Sequence, residues 1–352
     1  MHLPHIEVGP TNYQPRFEFP QVTDVSNARD YARVVDMPYD MGSGLETGQI
    51  YVANDSRFTA GAYNQPLTNF AVGGWANTGL EQELLLYTGA PVQTTKRFSY
   101  KVWSNAEALK SETTDDIRAV GGDFKDVRLG NTEVNTQVAN RGLIMVLDKD
   151  ELAEGVMTEQ DAVAYLTARL KLNQIRRASA LLIAAATNTA RTWTSGTRDA
   201  DMDLVTAVNA YQAAAGIDCN TVLFGRSAWA GRLTTLRALA SAGGFAGAGM
   251  NTNELAAWLN MDTVGRVNAT YQSATATKTV VGSSIILFFK RALSGMKMDP
   301  SNIKYFWSPT TGGGQISAFR YEEGSKRVIV GVEHNELLAI TYSGGIQTIT
   351  VS

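Results

Sequence analysis

The stretch TEQDAVAYLTARLKLNQIRRASALLIAAAT, residues 158–187, runs for thirty residues without glycine or proline. Thr158 and Asp161 stand three apart, the spacing at which a hydroxyl N-cap and a carboxylate each accept the other's backbone N–H. Val163, Leu166, Leu170, Ala178, Leu182 and Ala185 keep three- and four-residue spacing along one side, and Leu172, Ile175 and Leu181 widen that stripe. The pattern predicts one long helix reaching about Ala190. Its charges are Arg169, Lys171, Arg176, Arg177 and Arg191 against Glu159 and Asp161, with the acids in the first turn where the helix dipole favours them.

Upstream of this helix, RFSYKVW (97–103) and TEVNTQVANRGLIMVL (132–147) have strand character. The polar connection between them is far longer than an ordinary loop, and Gly121-Gly122 supplies its turn. The two strands therefore predict a long protruding hairpin, with Lys96, Lys101, Lys110 and Lys125 on or beside it. Residues 1–96 show little helical period apart from Leu80–Tyr87 and read as an extended arm. Over residues 1–60, eight acids face four bases, so this segment calls for a partner surface.

Downstream, Asp201 or Asp203 caps a helix ending at Gly216. TVLFG (221–225) reads as a buried strand, and Arg226–Leu239 is again helical. SAGGFAGAG (241–249) reads as a small-residue loop, followed by a short helix near Glu254–Leu259. Strands are expected at Lys278–Lys290, Arg327–Gly331, Leu337–Tyr342 and Ile346–Val351. The fold class is α+β.

Composition narrows the function. The 352 residues are 44% hydrophobic, enough for a core, but only 18% charged, below the ~25% of an ordinary soluble chain. Net charge is -3, which argues against a dedicated DNA-binding domain. The single cysteine, Cys219, allows no intrachain disulfide and points to an intracellular setting. No apolar run is long enough to span a membrane. MHLPHIEVGP lacks the basic and apolar regions of a signal peptide.

Chemistry-bearing patterns are sparse. The histidines are His2, His5 and His334, and no GxSxG surrounds a serine, so a hydrolytic triad is not expected. His334 reads as a surface or edge residue. GGFAGAGM (243–250) resembles a phosphate loop, but no strand leads into it and no GKS or GKT completes it. Asp199, Asp201 and Asp203 are spaced like the start of a calcium loop without its glycine or its closing glutamate. Asp148-Lys149-Asp150-Glu151 reads as a solvated turn. No catalytic residue, cofactor or metal site is expected, and the chain is not read as an enzyme.

The order of elements resembles the major capsid protein of tailed bacteriophages, the Hong Kong 97-like fold. RFSYKVWSNAEALKSETTDDIRAVGGDFKDV is similar to that family's extended loop, TEVNTQVANRGLIMVLDKDELAEG to its return strand, and TEQDAVAYLTARLKLNQIRRASALLIAAAT to its spine helix. NTVLFGRSAWAGRLTTLRAL (220–239) and TKTVVGSSIILFFKRA (277–292) resemble parts of its axial domain. The resemblance implies an N-terminal arm (1–96) with an insertion near residues 48–89, an extended loop (97–137), a peripheral domain (138–198), an axial domain (199–320) and returning strands (321–352). It also implies homo-pentamers and homo-hexamers in an icosahedral virion shell around double-stranded DNA, assembled in the host bacterial cytoplasm. Portal, scaffolding and decoration proteins are the further partners, with no membrane. Gly121, Gly122, Phe124, Lys110, Lys125, Gly243, Gly244 and Gly247 are the implied assembly contacts. Arg169, Lys171, Arg176 and Arg177 are the implied DNA-facing residues. Two other readings remain open: an encapsulin-like nanocompartment, and a nucleotide-binding protein or enzyme using residues 243–249.

Overall fold

Two helices stand within the segment expected as an extended arm: α1 (Gln65–Asn77), which the sequence does not predict, and α2 (Gly79–Thr88), over the Leu80–Tyr87 stretch that alone shows helical period. Asn64 starts the first, its side-chain oxygen accepting the Leu67 N–H at 3.0 Å. Leu67 and Ala71 of α1, and Leu84 and Tyr87 of α2, are buried. The apolar residues of these helices are spread around the axis rather than gathered on one side, as in the run Leu84-Leu85-Leu86-Tyr87, so the helical period is weak and tertiary packing holds them. The structure is a computed structural model that describes residues 63–77, 79–104, 132–193, 198–239, 242–273, 276–291 and 299–352, with Val120 and Gly122 besides. All of them belong to the unit Ala60–Ser352.

The next elements are β1 (Val92–Gln93), β2 (Arg97–Lys101), β3 (Glu133–Gln137) and β4 (Ala139–Asp148). β2 and β3 pair antiparallel from Arg97↔Gln137 to Lys101↔Glu133, as the hairpin reading expects. The return strand breaks at Val138, so β4 is free to join another sheet. Asp148–Glu151, expected as a turn, is the start of a short helix, α3 (Lys149–Ala153), which Asp148 caps.

The long helix, α4 (Glu159–Ala185), opens with the expected capping box: the Asp161 N–H donates to Thr158 Oγ1 at 3.1 Å, and the Thr158 N–H donates to Asp161 Oδ2 at 3.2 Å. Thr158→Ala should lower stability by about 1 kcal/mol, measured by urea unfolding. The helix ends five residues before the expected Ala190. Thr187–Arg191 forms β5 instead, paired parallel with the last strand. Thr187 and Thr189 are β-branched and suit a strand better than a final helical turn.

Asp199 caps α5 (Ala200–Ala215), rather than Asp201 or Asp203, and Gly216 closes it in the left-handed region at φ 77°. β6 (Thr221–Gly225) and α6 (Arg226–Ala238) follow as expected. The small-residue segment is helical, α7 (Ala242–Gly249), and α8 (Thr252–Leu259) comes after it. The remaining strands are β7 (Thr263–Val267), β8 (Thr270–Gln272), β9 (Thr277–Thr279), β10 (Ser284–Phe288), β11 (Ile303–Ser308), β12 (Ile316–Glu323), β13 (Arg327–Ile340) and β14 (Gln347–Val351). The strand expected over Lys278–Lys290 is split by a turn at Gly282, φ 65°. The two strands expected at Arg327–Gly331 and Leu337–Tyr342 are one, because the polar run between them is buried in the sheet.

Two sheets organise the unit. In the first, β13 is central: β4 runs along one side, while β12 and then β11 run along the other, with β1 outside β11. Its inner face, with Val328, Val330, Val332 and Ala318, packs on α1 and on Val163, Leu166 and Leu170 of α4. The second sheet has the order β5-β14-β10-β6-β7. Val222, Phe224, Ile285 and Leu287 on one face pack with Leu204 and Tyr211 of α5 and Leu236 of α6. Leu223, Ile286 and Phe288 on the other face meet Leu84 and Tyr87 of α2 and Ile175, Ala178 and Leu182 of α4. β6 and β10 are covered on both faces, which is why TVLFG and SIILF lack alternation. The long helix thus serves both cores, its first half on one sheet and its second half on the other.

Candidate assembly surfaces

The hairpin is rooted in the first sheet by aromatic packing. The rings of Phe98 and Tyr100 lie 4.9 and 5.5 Å from that of Phe306 on β11. Trp103 bridges to Tyr342, and the Lys101 ammonium sits 4.5 Å from the Trp103 ring centroid. Lys110, Gly121, Phe124 and Lys125 lie outside the described residues, and Gly122 is an isolated described position.

The four basic residues of α4 do not share one face. Arg169 and Arg176 are exposed, and Arg176 stacks 4.0 Å over the Tyr271 ring of β8. Lys171 is fully buried and paired with Glu81 of α2. Burial pushes its ammonium down to about 6. Arg177 turns into the protein to pair with Glu336. Lys171 and Arg177 are therefore corrected from DNA-facing candidates to internal partners. A step of one or two residues along a helix changes the face, which a charge count does not register.

Glu336, 1% exposed, is the hub beneath α4: Arg177 and Gln174 of α4 reach it, Arg141 of β4 lies 3.1 Å away, and His334 Nε2 is at 3.4 Å. His334 is fully buried on the central strand, not at an edge. Its alternation with Val328, Val330 and Val332 was the available signal, since residues two apart share a face. Burial acts to raise the Glu336 carboxyl, but the contacts with His334, Arg177 and Gln174 outweigh it and hold the carboxyl below its ordinary value. A carboxyl lowered in the folded state stabilises above its unfolded value and loses that contribution as pH falls through the folded one. Stability should therefore drop below about pH 4.5, and Glu336→Gln should flatten that acid limb in pH-dependent thermal unfolding.

Beside the second sheet, Arg232 of α6 is fully buried and donates twice to Asp201, at 2.6 and 2.9 Å, and once to the Gly247 carbonyl at 3.0 Å. Asp203 accepts from Trp193 Nε1 and from Arg198, with Arg191 at 3.3 Å. Of the acids spaced like a calcium loop, Asp201 and Asp203 are thus taken up by internal cations, and Asp199 is taken up as the cap of α5. Gly243, Gly244 and Gly247 lie in a helix whose Gly247 carbonyl binds an arginine, which removes the loop that a phosphate site would need. Among the described residues no group of three His, Cys, Asp or Glu is placed to hold a metal ion. Cys219 is buried, with burial pushing its thiol up to about 12. No helix among the described residues is long and apolar enough to cross a membrane. Sequence reasoning missed Arg232, Arg141, Glu336 and Tyr271, which carry no local motif.

No family model matches the chain, and no curated protein matches it. Among solved structures it is similar to a phage-related protein from Bordetella bronchiseptica RB50, with 15% identity, a TM-score of 0.60, and coverage of 82% of this chain and 97% of that one. It also aligns with a virus-like particle from Pyrococcus furiosus (10% identity, 80% and 97% coverage, TM-score 0.49). A third alignment is with a putative prophage capsid protein from E. coli CFT073 (10% identity, 81% and 99% coverage, TM-score 0.43). The similarity to the Bordetella protein, spanning nearly all of that chain, shows a common architecture. A hairpin rooted on one sheet, a long helix serving two cores and a second α/β unit make this the Hong Kong 97-like α+β fold.

Proposed function

We propose that the chain is the major capsid protein of a tailed bacteriophage, assembling through homo-pentamers and homo-hexamers into an icosahedral shell around double-stranded DNA. The fold carries this reading: it spans nearly the whole length of a phage-related protein. The 18% charged fraction supports it, because surface that becomes interface holds few charges. In this reading residues 97–137 form the intersubunit extended loop, 138–198 the peripheral domain, 199–320 the axial domain and 321–352 the returning strands. Residues 1–96 precede them, with the two helices replacing part of the arm. Arg169 and Arg176 remain the residues of α4 able to meet DNA. The role is structural rather than enzymatic, and the site is the virion, assembled in the host cytoplasm with portal, scaffolding and decoration proteins as partners.

Gel filtration with light scattering tests the reading on the expressed chain. Species of five and six subunits, or larger closed particles, are expected. A monomer at every protein and salt concentration would rule the reading out.

A further inference from the structure

We propose that the furrow along the exposed side of α4 receives the acidic corner of a second copy, head to tail. The furrow, about 840 Å³, lies between α2, α4 and β8 and presents Leu80, Tyr165, Leu172 and Tyr271 together with Arg169 and Arg176. A smaller hollow beside it shares Asn268 and carries Arg226 and Arg266 around Trp229. The acid lining the furrow is Glu83, whose two oxygens accept the Asn268 and Ala269 N–H groups at 3.0 and 3.1 Å. Burial raises the Glu83 carboxyl, which weakens it further as a counter-charge. Arg176 and Arg266 lean on the rings of Tyr271 and Trp229, contacts that leave their charge in place. Among the described residues, this surface is basic, aromatic and unopposed.

The opposite surface sits at the N-terminal end of the same helix. Residues 148–161 and 320–327 bring together Asp148, Asp150, Glu151, Glu154, Glu159, Asp161, Glu322 and Glu323 against Lys149, Arg320, Lys326 and Arg327. Lys149 and Arg320 pair with Glu322, Arg320 also with Glu159, and Lys326 with Asp150. Asp148 and Asp161 are occupied as caps. Glu151, Glu154 and Glu323 remain exposed, and Val156 beside them is 71% exposed, an apolar knob at the tip. Arg176 lies seventeen residues beyond Glu159, about 26 Å along the helix, so this corner does not fold back onto Arg176 of its own chain.

Two complementary surfaces at separate places on one chain make a heterologous contact, the kind that closes rings when its rotation permits. The acidic corner would place Glu151, Glu154 and Glu323 on the arginines and Val156 among the furrow's apolar residues. Opposite potentials also favour this orientation over like-to-like docking. The inference rests on the shell reading, within which it names one contact between neighbours.

The test uses three full-length variants in sedimentation velocity at low salt, each checked for folding by near-UV circular dichroism. One carries Arg169→Glu with Arg176→Glu, the second Glu151→Lys, Glu154→Lys and Glu323→Lys, and the third all five changes. Each of the first two should weaken self-association by roughly a hundredfold through like-charge apposition, while the third, complementary again, should regain wild-type assembly. Wild-type assembly by either of the first two overturns the contact, as does a folded five-fold variant that stays dissociated. Normal assembly of the arginine variant with loss of bound nucleic acid also overturns it and gives the furrow to DNA. A wild-type chain that is monomeric in the same run sinks the shell reading itself, a different failure.

Discussion

Arg232→Ala is expected to destabilise the chain by about 3–5 kcal/mol, the cost of breaking a buried ion pair by removing one partner. The side chain is fully buried, so its loss leaves the Asp201 carboxylate, itself 6% exposed, without its two donors, and the Gly247 carbonyl without its one. Three separate segments depend on this guanidinium: the first turn of α5, the body of α6 and α7. Lysine is no substitute, because a single ammonium cannot reproduce the planar two-point contact with the carboxylate. Arg232→Lys should therefore recover only part of the loss. Equilibrium urea unfolding of both variants against wild type checks this, and a change under 1 kcal/mol for the alanine variant would show that the pair is not the keystone described.

Phe306→Ala should cost a similar 3–5 kcal/mol by cavity formation, and in addition should loosen the hairpin. Phe306 is fully buried between Val92 of β1 and Leu337 of β13, and its ring supports those of Phe98 and Tyr100. Without it, the rings on β2 lose the surface that holds the hairpin to the first sheet. Amide exchange over Arg97–Lys101 and Glu133–Gln137 should accelerate more than exchange in β6 or β10. Equal acceleration everywhere would mean that the hairpin has no local dependence on this ring. The distinction bears on the proposed shell, in which a hairpin that bridged neighbouring copies would have to leave its own sheet at a fixed angle.

The legible parts of this fold were those that local chemistry dictates. Thr158 and Asp161 marked the start of the long helix because a capping box needs only two residues three apart. TVLFG was readable because a strand covered on both faces is apolar throughout. The failures have a common cause in long-range pairing. β5 was absorbed into the helix because Thr187–Arg191 becomes a strand only beside β14, which lies some 160 residues away. β13 was cut in two because His334, Asn335 and Glu336 look like a loop until Arg141, Gln174 and Arg177 are brought to them. The composition of the glycine-rich segment suits a loop, whereas α6 and the Arg232 hydrogen bond support it as a helix.

Candidate contacts were harder to read than the fold. A charge count along the long helix put Lys171 and Arg177 on the same footing as Arg169 and Arg176. Their fates diverge because Glu81 and Glu336 wait beneath the helix, one from α2 and one from β13. A sequence shows how many cations a helix carries, whereas which of them are spent internally depends on acids placed by other elements.

Electron cryomicroscopy of the purified, concentrated chain tests the central claim most directly. The account predicts closed icosahedral particles whose reconstruction shows this fold repeated in rings of five and six, with the β2–β3 hairpin reaching across to a neighbour. Fields of dispersed single subunits, with no rings, tubes or shells at any salt concentration tried, would contradict it.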